Sequence, residues 1–301
     1  MDPKTEIRDF LTSRRARITP ADAGLKVFGP RRVPGLRREE VATLAGLSVD
    51  YYNRLERGNL GGASDSVLDA LADALRLDEA ERAHLLDLAA ASQPTTSRGR
   101  RRPATQTVRP SVQWMLDSMT AAAAFAENGR LDALSANQLG RALYPAVFGQ
   151  RRQPANWARF VLLDPTARAL YADWNRAARD CVALLRAESG RNPNDRELSD
   201  LVGELATQSE EFRGLWAAHN VRLHTKGTKQ FNHPVVGELE LSFNRLEVMG
   251  DPGLMIVVYT AEPRSKSAEA FSLLASWAAT EETTSAESNH ADADQPNFNG
   301  R

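Results

Sequence analysis

The chain has 301 residues, 42% of them hydrophobic and 26% charged, with a formal net charge of −1. That length suggests two domains, and the composition is that of an ordinary globular protein. No apolar run approaches the roughly 20 residues that cross a bilayer, and the opening Met1-Asp2-Pro3-Lys4-Thr5-Glu6 lacks the apolar stretch of a secretory signal. The single cysteine, Cys181, has no partner for an intrachain disulfide, so the expected setting is the reducing cytoplasm. Charge is unevenly spread. Residues 1–58 carry twelve Lys and Arg against eight Asp and Glu, whereas residues 279–301 carry five acids and one base.

The N-terminal part, residues 1–93, reads as five helices. Ile7, Phe10 and Leu11 sit at helical spacing within residues 6–17. An irregular stretch with Pro20, Pro30 and Pro34 follows, and then two short helices at 36–45 and 49–57. A fourth helix at 66–75 places Val67, Leu68, Leu71, Ala74 and Leu75 on one face. Asp78 and Glu81 have the spacing of a capping box and open a fifth, with Leu85, Leu86 and Leu88 as its apolar positions. Residues 94–107 form a polar, basic linker that either touches phosphates or serves as a solvated hinge.

The second domain spans residues 108–278. Val112, Met115, Leu116 and Met119 mark an opening helix, and two short strands are expected around a tight Glu127-Asn128-Gly129-Arg130 turn. Helices return at 137–148. Asp164-Pro165 pairs an N-cap acceptor with proline at the first helical position; from there one apolar face, including Leu170, Tyr171, Trp174, Cys181 and Leu185, predicts a helix of about six turns. Asn194 and Glu197 suggest a further capped helix, and residues 209–219 another, carrying Phe212, Leu215 and Trp216. Beyond Thr228 the pattern is strand-like, with alternation over 237–249 and a continuous apolar run at 254–259. A helix at 268–277 closes the domain, and residues 279–301 read as a disordered acidic tail.

The most informative segment is Leu36-Arg37-Arg38-Glu39-Glu40-Val41-Ala42-Thr43-Leu44-Ala45-Gly46-Leu47-Ser48-Val49-Asp50-Tyr51-Tyr52-Asn53-Arg54-Leu55-Glu56-Arg57-Gly58. Two helices crossing steeply need a small residue at their contact, which Ala42 supplies, and Gly46 permits the left-handed backbone that reverses the chain. Ser48 can cap the second helix. Val41, Leu44, Leu47, Tyr52 and Leu55 are expected to fill the shared core. That leaves Val49, Asp50, Tyr51, Asn53 and Arg54 outward, the face that a recognition helix presents to the major groove. Arg54 suits guanine N7 and O6; Asn53 suits adenine or a phosphate; Asp50 accepts from a cytosine amino group or orients a neighbouring arginine. Arg37, Arg38 and Arg57 suit phosphates.

This pattern resembles the XRE-type helix-turn-helix and, more narrowly, the MmyB-like transcription regulators. The likeness rests on Gly-Leu-Arg-Arg-Glu-Glu-Val-Ala at 35–42, Leu-Ala-Gly at 44–46, Tyr51-Tyr52, Leu55-Glu56 and the preceding Arg31-Arg32-Val33-Pro34. It departs at Asn59-Leu60-Gly61-Gly62-Ala63, where members often carry a proline. In the second domain it continues through Phe160, Asp164-Pro165 with Arg168, Tyr171-Ala172-Asp173-Trp174, Leu185-Arg186, residues 209–216 with His219, His233-Pro234 with Gly237, and Tyr259-Thr260-Ala261-Glu262-Pro263. The resemblance implies a PAS-like α+β ligand-binding domain behind an all-α five-helix DNA-binding domain, with a long-chain fatty acid as ligand class.

From the residues alone, a small apolar ligand is expected near Phe160, Trp174, Phe212 and Trp216, although aromatics at helical spacing are also ordinary core. His219, His224 and His233 lack metal-ligand spacing, so no metal and no cofactor is expected beyond a bound fatty acid as effector. No phosphate-cradling loop, Gly-x-Ser-x-Gly elbow or metalloprotease signature suggests an enzyme. The expected partners are double-stranded operator DNA and a second copy of the chain, with two recognition helices about 34 Å apart and no membrane. A repressor is the favoured reading, and a ligand-independent DNA-binding or scaffold protein the alternative.

Overall fold

A computed structural model describes residues 3–26, 31, 33, 35–93, 107–149, 155–221 and 225–293, with side chains to residue 280. The first five helices are α1 (Pro3–Arg17), α2 (Arg38–Leu44), α3 (Val49–Glu56), α4 (Asp65–Ala74) and α5 (Glu79–Ala91). Then come α6 (Pro110–Ser118), strands β1 (Ala123–Asn128) and β2 (Ala133–Ala136), and helices α7 (Gln138–Leu143), α8 (Pro145–Phe148), α9 (Trp157–Leu163) and α10 (Pro165–Leu170). Helices α11 (Trp174–Arg191), α12 (Arg196–Gln208) and α13 (Glu210–Ala217) precede β3 (Lys226–His233), β4 (Gly237–Glu247), β5 (Leu254–Ala261) and α14 (Lys266–Ala293). The chain forms two compact units, one of residues 1–103 with 178–224, the other of residues 104–177 with 225–301.

In the first unit, helices of seven and eight residues such as α2 and α3 are too short to persist alone in water. They are held by burial: Ile7, Phe10 and Leu11 of α1 pack with Val41, Ala42, Tyr52, Leu55, Leu71 and Leu85. Each of the larger aliphatic and phenylalanine side chains among them contributes about 1.5–3 kcal/mol when withdrawn from water. The same core takes in Ala187 of α11 and Val221 beyond α13, so the returning segment is part of this unit's interior.

The second unit is built on a five-stranded antiparallel sheet of order β2-β1-β5-β4-β3. Strand β1 lies between β2 and β5 and is buried along its whole length, which suits its Ala-Ala-Phe-Ala core. Strand β4 alternates, burying Leu239, Leu241 and Phe243 and exposing the residues between them. Helix α14 packs against β4, β5 and α7. Asn137 closes the junction between sheet and helix: its Oδ1 accepts from Ala124 and Gly140 amides at 2.9 and 2.8 Å, while its Nδ2 donates to the Met119 and Ala122 carbonyls.

Several sequence expectations need correction. The long helix expected from 165 is two, because the chain extends at Tyr171, which bridges to Phe231 of β3, and restarts with Asp173 accepting from the Arg176 amide. The cap expected at Asn194 is Asp195, which accepts from Leu198 N at 3.1 Å. The turn after β1 is longer than a two-residue hairpin: Asn128 Oδ1 takes the Arg130 and Asp132 amides, and Leu131 carries the positive φ. Leu44 and Leu86, expected in the core, are 38% and 40% exposed. His233 ends β3, opposite Gly237. Helix α14 continues past Trp277 to Ala293, through a stretch rich in helix-favouring Ala and Glu and free of Pro and Gly. The basic linker falls almost wholly outside the described residues, as do His224 and residues 294–301.

Candidate nucleic-acid interface and effector domain

Helix α2 ends in a Schellman arrangement. Leu47 N donates to Ala42 O at 2.8 Å, Gly46 N to Thr43 O at 3.2 Å, and Gly46 has φ +64°. Two residues later Ser48 Oγ accepts from Tyr51 N at 3.2 Å and starts α3. Tyr52 and Leu55 face inward, and burial pushes the Tyr52 hydroxyl above its usual pKa. Outward lie Val49, Asp50 and Arg54, with Tyr51 and Asn53 half-buried and Arg57 exposed just past the helix end. The Arg54 guanidinium carbon sits 4.9 Å from the Tyr51 ring centroid, a cation–π contact that draws the charge toward the outer face.

The arginines expected on phosphates differ in their settings. Arg37 is exposed and only loosely paired with Glu39 at 3.4 Å. Arg38 is half exposed, but its Nε lies 3.2 Å from Glu56 Oε2. Glu56, read from the sequence only as part of the Leu55-Glu56 motif, is the carboxylate that holds Arg15 and Arg38. It is 1% exposed, and it accepts from Arg15 Nη2 at 2.8 Å and Thr12 Oγ1 at 3.0 Å. Burial alone would raise its pKa; the hydrogen bond and charge of Arg15 and the charge of Arg38 outweigh that and lower it. A signal existed: Glu56 continues the inward 52, 55 spacing of α3. Arg31 similarly grips Glu40 through two bonds of 2.7 and 2.8 Å; that hydrogen bonding, against some desolvation, holds the Glu40 carboxyl at about 2.

The four aromatics expected at a ligand pocket are divided. Phe212 and Trp216 belong to the first unit and stack at 5.2 Å, with Arg186 over the Trp216 ring at 3.9 Å. Phe160 and Trp174 belong to the second unit. Trp174 donates its Nε1 proton to Val161 O at 2.7 Å, and Arg168 covers its ring. Phe160 joins a buried aromatic layer that the sequence reading did not assemble. At its centre Tyr144 contacts Phe125, Trp157, Phe160, Tyr171, Phe231 and Tyr259 at centroid distances of 4.7–6.4 Å. The Tyr144 hydroxyl lies 3.2 Å from that of Tyr259 and 3.4 Å from that of Tyr171. Burial holds the Tyr144 phenol well above its usual pKa, so the group stays protonated. The buried Trp157 Nε1 has no hydrogen-bond acceptor among the described residues.

A separate hollow of about 660 Å³ opens between α6, α7 and α14, bordered by Gln113, Asp117, Gln138, Arg141 and Trp277. Its lining is mixed, with Ala136, Ala142, Pro145 and Ala278 beside those polar groups. His233 is satisfied on both ring nitrogens: Nε2 donates to Ala142 O at 3.0 Å, and Nδ1 accepts from Val235 N at 3.3 Å. Among the described residues, no group of three or more His, Cys, Asp or Glu is placed to hold a metal ion. No described helix is long and apolar enough to cross a membrane.

Comparison with known families gives two matches. The helix-turn-helix domain model covers residues 6–85, and the MmyB-like transcription regulator ligand binding domain model covers residues 108–274. No curated relative matches the chain. The two matches divide the chain into a DNA-binding part and a ligand-sensing part, and the second spans more than half of it; the chain belongs to the MmyB-like family of transcription regulators.

Proposed function

We propose that this regulator is a homodimeric repressor that reads its operator with α3 and releases or grips it according to a long-chain fatty acid held in the second unit. The observation that carries the DNA half is the outer face of α3, where Val49, Asp50 and Arg54 are exposed beyond the turn at Gly46 while Tyr52 and Leu55 anchor the inner face. Occupying a promoter needs no contact with polymerase, which favours repression.

Two observations support the effector half. The aromatic layer around Tyr144 is contiguous and apolar, the kind of surface that lines sites for apolar chains. Within it, the Trp157 indole N–H and the hydroxyl of Tyr259, which accepts from Tyr144, are donors suited to a carboxylate or carbonyl oxygen. The antiparallel order β2-β1-β5-β4-β3 supports a PAS-like reading of this unit. For the dimer, Trp114 and Met115 on α6 and Leu246 and Met249 by the β4–β5 turn expose apolar surface that a second copy would cover.

The test is selection of duplexes from a random pool by the full chain, followed by titration of the selected site over a range of salt. Tight, salt-sensitive binding with a two-fold repeated half-site is the expected result. Adding fatty acids of 12–18 carbons should raise the melting temperature and change operator affinity. Absence of duplex enrichment would remove the DNA half, and absence of any thermal shift the effector half.

A further inference from the structure

Residues 178–224 lie inside the matched ligand-binding domain, yet they fold as one compact unit with the DNA-binding helices. The join is polar and specific. Helix α13 ends at Ala217, and three arginines take up the carbonyls of its last turn and of the two residues just beyond it. Arg186 of α11 donates to Trp216 O, Arg17 to Ala218 O at 3.1 Å, and Arg14 to His219 O. Arg17 also reaches the Asn220 side-chain oxygen. Two of these arginines come from α1, and a cluster of cations at a helix C-terminus is where the helix dipole favours them.

Deeper in the same contact, Glu6 of α1 accepts from the fully buried Arg186, whose Nη1 also lies 3.0 Å from His219 Nδ1. His219 holds a left-handed backbone, φ +50°, at the position after the helix cap where glycine is the usual residue. Its carbonyl and ring thereby serve Arg14 and Arg186 together.

Helix α1 has a second set of contacts on a different face. Thr12 and Arg15, one turn apart, both bond Glu56 at the end of the recognition helix, just as Arg14 and Arg17, also one turn apart, both bond the end of α13. Glycine keeps this second face close: a β-carbon at Gly58 would lie 2.5 Å from the Lys4 carbonyl oxygen.

We propose that α1 is the coupling element of this regulator. In this arrangement Arg14 and Arg17 are positioning residues that tie the end of α13 to α1, and Arg15 and Thr12 carry any displacement of α1 to Glu56 and so to the DNA-reading face of α3. The proposal rests on the DNA-binding reading above. Coupling free energy is reciprocal, so if a change at α13 alters grip on DNA, then DNA must alter α13.

That reciprocity supplies a test that needs no effector. Amide hydrogen exchange of the full chain is followed with and without a duplex selected from a random pool. The expected result is protection of α3 together with slowing of exchange over residues 212–220 by about fivefold or more, the low end of site-to-site coupling. The double variant Arg17→Ala with Asn220→Ala, one residue exposed and the other half-buried, should cancel the effect at 212–220 while leaving α3 protected. Arg14→Lys, which keeps the charge but shortens the reach, should weaken it. Protection of α3 with no change at 212–220 overturns the proposal, as does protection at 212–220 that survives both variants. No protection of α3 under any duplex overturns the DNA-binding reading itself, and the coupling with it.

Discussion

Arg15 and Glu56, 41 residues apart in sequence, meet at 2.8 Å and join the first helix of the chain to the foot of the recognition helix. Glu56 is nearly inaccessible to solvent, so its charge is compensated by Arg15 and Arg38 with little help from water. Removing one partner of such a pair leaves the other charge stranded and costs about 3–5 kcal/mol. Glu56→Ala should therefore destabilise the N-terminal helices by that amount, measured by urea unfolding at neutral pH. A loss below about 1 kcal/mol would mean that water already solvates the site.

The contact between Tyr51 and Arg54 bears on specificity. Arg54→Ala should lower affinity for the selected operator by about 1–3 kcal/mol relative to random duplex, the cost of losing a bidentate pair with a base. Tyr51→Phe keeps the ring beneath the guanidinium and should preserve that discrimination, whereas Tyr51→Ala should erode it. Equal losses on both duplexes for Arg54→Ala would assign the residue to phosphate contact.

Acid should loosen the first unit in two steps. His84 is buried against Gly190 and Phe10, and both ring nitrogens lack a hydrogen-bond partner among the described residues. Burial lowers its pKa from the ordinary 6.5 to about 4. Between these values the unfolded chain binds a proton that the folded chain refuses, so stability falls as pH drops from about 6.5 to about 4. Glu6 acts over a lower window. Burial alone would raise its pKa, but the His219 ring and the Arg186 guanidinium hold it at about 2 against an ordinary 4.5. The stability it supplies is complete above 4.5 and is lost as pH falls toward 2. Each step corresponds to roughly 3 kcal/mol. His84→Leu should flatten the upper step in urea midpoints taken at pH 7 and pH 5; an unchanged slope would place the titration elsewhere.

The helix-turn-helix was legible because each part has a short-range cause: a left-handed glycine at 46, a serine cap at 48, and apolar spacing at 52 and 55. Asp78 and Glu81 form their capping box for the same reason. What the sequence hid depends on contacts distant along the chain. The break at Tyr171 exists because β3 arrives 60 residues later to pair with it. Arg14 falls on the 7, 10, 11 stripe of α1, and such a charged intrusion can be read as a surface residue until α13 is seen to meet it. The expected ligand aromatics were chosen by spacing within single helices. The layer around Tyr144 instead draws on β1, β3, β5 and α9, with Tyr144 and Tyr171 themselves at junctions between helices.

Trp157 separates ligand binding from folding. Trp157→Phe removes a buried donor that has no acceptor among the described residues, a relief that offsets part of the cost of the smaller ring. Ligand-free stability should therefore change by no more than about 1–2 kcal/mol. If the indole N–H meets an effector oxygen, the rise in melting temperature produced by a 12–18-carbon fatty acid should shrink in the variant. A full shift in Trp157→Phe would move the anchor to the Tyr259 hydroxyl, and Tyr144→Phe, which removes the donor to it, would then be the informative change.

Two glycines flank the recognition helix and should answer the same substitution differently. At Gly46 the backbone is left-handed but the space beyond the missing β-carbon is open. Gly46→Ala therefore meets only the backbone penalty, about 1–2 kcal/mol, and Gly46→Asn, which tolerates that conformation, should lose less. At Gly58 the φ of +96° is compounded by contact: a β-carbon would lie 2.5 Å from Lys4 O and 2.7 Å from Lys4 Cα, both main-chain atoms that no side-chain rotation can move. Gly58→Ala must push α1 away from α3, so it should cost more than Gly46→Ala and should also disturb the Arg15–Glu56 pair. Urea midpoints for the two alanine variants give the comparison directly. Equal losses would show that α1 yields freely at Gly58, and a helix that yields so easily could not transmit a displacement to α3.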